Sequence, residues 1–198
     1  MTQTTLKPRS FDEFLELYPE GRYELIDGEL VRILATRQHD NVAEFISDTL
    51  KDEVKRLKLN YRVSGRIVVR TLTKDGREQG RHPDVSVVER SLWDSNLAAD
   101  SALREPLQLA VEVVFTNWED DYIDKLDEYQ RLGTPEYWIV DYLAIGPRER
   151  IGSPKMPTIS VYHLVEGEYQ VSQFQGSERI VSPTFPELSL TVEQVLSA

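Results

Sequence analysis

Three residues combine type and setting in a way that could do chemistry: Asp84, Glu112 and Lys125. Glu112 interrupts the run LQLAVEVVF, where Leu107, Leu109, Val111, Val113 and Phe115 alternate with the period of a β-strand. Its own face carries Ala110 and Val114, so the strand is apolar on both sides, as expected at the centre of a covered sheet. An ionised carboxylate there is costly unless a cation compensates it. Either Glu112 belongs to a structural ion pair or it serves a site that needs negative charge. Lys125 poses the complementary problem. On a helix turning about 100° per residue, Tyr122, Leu126, Tyr129 and Leu132 form an apolar arc, and Lys125 falls inside it. Asp121 lies at the margin of that arc, while Asp124, Asp127 and Glu128 are expected on the wet side. Asp84 follows Pro83 at the start of another strand, where taken alone it reads as an ordinary strand-entry cap with turn hydrogen bonds.

The elements that must position these residues can be outlined from patterning. A short helix is expected near Ser10 to Tyr18, followed by a hairpin in RYELIDGELVRI with a type I′ turn at Asp27-Gly28. Val42, Ile46, Leu50, Val54 and Leu57 predict an amphipathic helix from about Asn41 to Leu59. NYRVSGRIVVRT reads as strand, TKDGREQG as a turn-rich connection, and HPDVSVVE as a further strand. RSLWDSNLAADSALRE is either a short helix or a mobile loop. The Glu112 strand, an acidic helix from Glu119 to Leu132, a Gly133–Pro135 break and the strand EYWIVDY follow. PTISVYHL, EYQVSQF and ERIVSP suggest an antiparallel meander, and TVEQVLSA a closing helix. The fold class is therefore α/β (α+β), read as a single domain over residues 1–198.

Composition narrows the function classes. With 40% hydrophobic and 29% charged residues the chain is an ordinary globular protein. It has no apolar run of membrane-spanning length, no secretory h-region and no cysteine, which fits a cytoplasmic protein without disulfides or thiolate metal sites. A formal charge of −11 argues against a general polyanion binder. The charge is uneven: Lys51 to Arg70 holds seven basic and two acidic residues, and Glu119 to Tyr129 holds six acidic residues and one lysine. His39-Asp40 lacks the further histidine and aspartate of an HD phosphohydrolase, so His39 is read as a helix-start residue. His82 and His163 lack metal-ligand spacing. Trp118, Tyr137 and Trp138 could stack on bases, although Tyr137 and Trp138 suit a core strand.

YELIDGELV with His39, then HPDVSVV, VEVV, DDYIDKLDEY and GTPEYWIVDY form an ordered set covering most of the chain. In this the sequence resembles the PD-(D/E)xK nuclease superfamily, and specifically its Uma-type bacterial branch of restriction-endonuclease-like proteins. The resemblance implies a central mixed sheet flanked by helices, here with additional C-terminal antiparallel strands. It also implies a Mg-dependent endonuclease acting on DNA, with Mn an alternative ion. By the same resemblance Asp84 and Glu112 bind metal and Lys125 assists catalysis; the preference of Mg²⁺ for hard oxygen ligands lets a strand carbonyl, that of Val113, join the two carboxylates. The usual lysine position, two residues after the acid, is Val114 here, and the branch's lysine on the following helix matches Lys125. VFTNW replaces the Ser-Pro-Ser-like turn of many relatives. Glu24 is either a further acid near the metal or an exposed hairpin carboxylate, and Asp121 is read as an i,i+4 partner of Lys125. Two other readings stand: a catalytically inactive nuclease fold that binds nucleic acid or protein, and a homodimer built on the C-terminal strands.

Overall fold

The structure is a computed structural model and describes residues 10–198. Its elements run α1 (Phe11–Glu16), β1 (Tyr23–Ile26), β2 (Glu29–Arg32), α2 (Arg37–Leu57), β3 (Tyr61–Ser64), β4 (Val68–Leu72), β5 (Glu78–Arg81) and β6 (Val85–Glu89). They continue with α3 (Arg90–Asp94), β7 (Ala102–Leu103), β8 (Leu109–Val113), α4 (Lys125–Leu132), β9 (Glu136–Asp141), α5 (Arg148–Ile151), β10 (Thr158–Val165), β11 (Glu168–Gln175) and α6 (Val192–Leu196). Two mixed sheets result, one ordered β2-β1-β5-β4-β7 and the other β11-β10-β9-β8-β6-β3.

The six-stranded sheet explains the double-faced apolar run. Val111 and Val113 of β8 pack with Val42, Ile46 and Leu50 of α2, together with Trp138 and Val140 of β9. Ala110 and Val114 face the other way, toward Tyr122, Tyr129, Tyr137 and Ile139. Glu112 therefore belongs to the face that α4 covers. β8 is antiparallel to β6 and parallel to β9, with Val85 opposite Val111 and Glu112 opposite Ile139. This register sets the start of β6, where Asp84 sits, beside the C-terminal end of β8.

Local signals account for several boundaries. Ser10 caps α1 through a reciprocal capping box with Glu13. Asp27 and Gly28 both take positive φ, 50° and 78°, as the type I′ hairpin demands. The NYRVSGRIVVRT segment is two strands in different sheets rather than one. It breaks around Gly65, where a Cβ would stand 2.8 Å from the Asp84 carbonyl oxygen. TKDGREQG is only partly turn, because Glu78–Arg81 forms β5 against β4. ERIVSP does not extend the meander; Arg179 makes one isolated bridge to Thr191. Among the described residues no helix is long and apolar enough to cross a membrane.

Candidate active site

Where the ends of β1, β6 and β8 meet the helix that follows β8, a cavity of about 300 Å³ opens. Asp84, Glu112 and Lys125 all line it, and so do Glu24, His39, His82, Asp120 and Asp121. Lys125 is reached through a π-helical segment, Asp120–Asp124, that runs directly into α4. Such segments widen one helical turn and recur at functional sites. Here the extra residue in the turn brings Asp120, Asp121 and Lys125 toward the same cavity.

Lys125 is the electrostatic hub. Its Nζ lies 3.0 Å from Glu112 Oε2 and 3.0 Å from Asp121 Oδ1, with Glu24 Oε1 at 3.8 Å and Asp120 Oδ2 at 3.9 Å. Burial opposes the lysine charge, but the surrounding carboxylates outweigh it and raise the pKa well above the ordinary value. Burial pushes Glu112 up to about 8; Lys125 opposes the shift while Asp84, Asp121 and Glu24 add to it. Asp121 is pushed up to about 6, again chiefly by burial. The remaining oxygen of Glu112, Oε1, accepts from the Tyr129 hydroxyl at 3.0 Å. Tyr129→Phe is expected to lower stability by about 1–2 kcal/mol, because it leaves a buried acceptor unpaired. Urea unfolding of the two proteins measures this directly.

Asp84 is held differently. Its Oδ2 accepts from the Val113 amide at 2.9 Å and its Oδ1 from the Arg22 guanidinium at 3.2 Å. Burial alone would raise its pKa, but His39, Arg22 and the Val113 amide outweigh that and lower it to about 2. His39 Nε2 stands 2.9 Å from the Val113 carbonyl oxygen and 3.2 Å from Asp84 Oδ2. The strand carbonyl and the Asp84 carboxylate thus converge on one point, now faced by an imidazole N–H. Burial works against a charge on His39, and the hydrogen bond and charge of Asp84 overcome it, raising its pKa.

A second buried cation organises the flank. Arg81, 1% exposed, donates from Nε and Nη2 to both Glu128 oxygens, at 2.8 and 2.7 Å. Its Nη1 reaches Asp120 at 3.2 Å and Glu24 at 3.4 Å. Glu24 is consequently a buried member of the cavity wall. Burial would raise its pKa; Lys125, Arg81 and the His82 amide together lower it. Glu128 departs from the sequence expectation: it is buried rather than on the wet side, because Arg81 of β5 passes beneath that flank of α4 and pairs with it. Tyr137 and Trp138 are fully buried and so do not present faces to a ligand.

His39 is the residue whose place in this cluster sequence reasoning missed. The signal was present: it lies one helical step before Val42, Ile46 and Leu50, on the same buried arc of α2. Among the described residues no group of three or more histidine, cysteine, aspartate or glutamate side chains is arranged as a ready metal cage. Glu112 has both oxygens engaged by Lys125 and Tyr129. Groups at the cavity whose chemistry suits a hard cation include the carboxylates of Glu24, Asp84, Glu112, Asp120 and Asp121 and the Val113 carbonyl, with His39 adjacent.

The architecture is similar to that in the crystal structure of a "putative nuclease belonging to DUF820" from Anabaena variabilis. The two share 18% identity at a TM-score of 0.71, over 96% of this chain and 98% of the other. The chain belongs to the Uma2 family, described as "putative restriction endonuclease", which matches residues 11–193. No curated protein sequence matches it.

Proposed function

We propose that this protein is a divalent-metal-dependent endonuclease that hydrolyses phosphodiester bonds of DNA, using Mg²⁺ with Mn²⁺ as a working substitute. The observation that carries the reading is the convergence of Asp84, Glu112, the Val113 carbonyl and Lys125 in one cavity. Charge supports it. Among the described residues, Glu24, Asp84, Glu112, Asp120, Asp121 and Glu128 are ion-paired with Arg22, Arg81 and Lys125, so carboxylates outnumber fixed cations and a divalent cation would offset the imbalance as the acids ionise. Hard oxygen donors in such a setting fit Mg²⁺ or Mn²⁺.

Asp84, Glu112 and the Val113 carbonyl would hold the ion. When bound, it supplies Lewis acidity and makes water a stronger nucleophile near neutral pH. Lys125 is placed to orient the attacking water or to stabilise charge developing on the phosphate. Asp121 fixes the ammonium from one helical turn earlier, and Arg22 fixes the outer oxygen of Asp84. A DNA substrate and a soluble cytoplasmic setting belong to this same reading.

The test is cleavage of DNA by the purified protein with Mg²⁺ or Mn²⁺, beside Asp84→Ala and Lys125→Ala. Cleavage by the parent and its loss in both variants supports the assignment; equal cleavage by all three rejects it. The engagement of both Glu112 oxygens favours one competing reading, a fold that binds nucleic acid or protein without cutting. In that case the parent protein leaves DNA intact under every metal condition.

A further inference from the structure

The cavity is acidic at its floor but apolar along part of its rim. Val31 is 40% exposed and Leu34 68% exposed, and both line it with Ile33 and Phe115. Strand pairing fixes Val31 relative to the floor. Val31 lies directly opposite Glu24 in the β1–β2 register, so the two share a face of the hairpin. Glu24 in turn reaches to 3.8 Å from Lys125 Nζ. The Phe115 ring packs edge-on to His39, with centroids 6.2 Å apart. Arg32 stands on the same rim, exposed, beside Val31.

We propose that the site takes an unpaired DNA strand, with a base adjoining the scissile phosphate packed on Val31, Leu34 and Phe115 and a neighbouring phosphate met by Arg32. The inference rests on the phosphodiesterase reading above and names its substrate class. In a duplex the bases are stacked inside, and a phosphate presents only sugars and other phosphates to its surroundings. An apolar rim would then be desolvated against charge. An unpaired strand offers free base faces, which pack on apolar and aromatic side chains irrespective of sequence. Electrostatics point the same way. Duplex binding relies on rows of lysine and arginine that neutralise many phosphates. Among the described residues lining the cavity, only Arg32 and Lys125 are lysine or arginine, and Lys125 is already committed to four carboxylates. A single strand, with about half the backbone charge of a duplex per unit length, suits this face better.

The test is fluorescence anisotropy in Ca²⁺ of a short fluorescein-labelled oligodeoxynucleotide, alone and annealed to its complement. It is run on the parent protein and on Val31→Ser with Leu34→Ser, two exposed positions whose replacement leaves the core intact. The single strand is expected to bind the parent about tenfold more tightly than the duplex, and the double variant to lose that preference with duplex affinity unchanged. Equal affinity for both forms, equal weakening of both in the variant, or no binding of either overturns the proposal. Cleavage of the same oligonucleotides in Mn²⁺ separates the two claims. Strand-selective binding without any cleavage refutes the nuclease reading while supporting the base-packing rim.

Discussion

Lys125→Met is expected to destabilise the metal-free protein by about 3–5 kcal/mol near pH 8, the range for removing one partner of a buried ion pair. Four carboxylates surround that ammonium, and among the described residues none has another cation at comparable distance except Glu24 and Asp120, which share Arg81. The loss should be smaller near pH 5. Glu112 and Asp121 already favour the protonated form, at about 8 and about 6, and at low pH a proton relieves the repulsion that the missing lysine would leave. Cleavage should fall by roughly 10²–10⁴-fold, the range for a positioned proton-handling group. Urea unfolding at the two pH values measures the first effect. A cost independent of pH, or one below about 1 kcal/mol, would mean that Lys125 does not carry the balance of charge in the cavity.

The second large effect concerns pH and metal together. Glu112 has a folded pKa of about 8 against an ordinary 4.5, so the folded state holds a proton that the unfolded chain has released. Its contribution to stability is complete below about pH 4.5 and is lost as pH rises toward 8. Asp121, about 6 against 3.8, adds a loss over the lower part of that range. Asp84 has the opposite sign: with a folded pKa of about 2 against 3.8, it stabilises above 3.8 and loses that contribution as pH falls toward 2. The metal-free protein should therefore lose on the order of 3 kcal/mol between about pH 5 and pH 8, since each pH unit is worth up to about 1.4 kcal/mol per proton. Saturating Mn²⁺ competes with protons for the carboxylates, so it should restore stability more at pH 8 than at pH 5. At about a hundred times the dissociation constant the gain is about 2.7 kcal/mol. Thermal unfolding with and without Mn²⁺ checks this, and Glu112→Gln should flatten most of the slope. A metal-free stability that stays level from pH 5 to 8 would remove the electrostatic basis of the argument.

How much of this was readable beforehand depended on the range of each interaction. Glu112 was conspicuous because a carboxylate broke a period-two apolar run, and Lys125 because it fell on an apolar helical arc; both signals are local. Asp84 carried meaning only through Pro83 and motif order, since its contacts to Arg22, His39 and Val113 come from distant segments. Glu128 was expected on the wet side and Glu24 left between two readings because their shared partner, Arg81, falls just after the turn-like TKDGREQG. Its polar residues read as turn, yet β5, which begins within it, is held by pairing with β1 and β4 rather than by its own apolar pattern. The same tertiary rescue made one apparent strand into β3 and β4, separated where Gly65 lets the Asp84 backbone approach. The π-helical segment before Lys125 left no mark on the apolar periodicity, and the mixed layered architecture was nevertheless legible from the alternation of strand and helix patterns.

The most direct measurement is calorimetric titration of Mn²⁺ into the parent protein, Asp84→Asn and Glu112→Gln at pH 8. Binding heat in the parent that disappears in both variants, each still folded by circular dichroism, is the predicted result. Undiminished binding in the two variants, or no binding by the parent even with DNA present, would contradict a metal site built on Asp84 and Glu112.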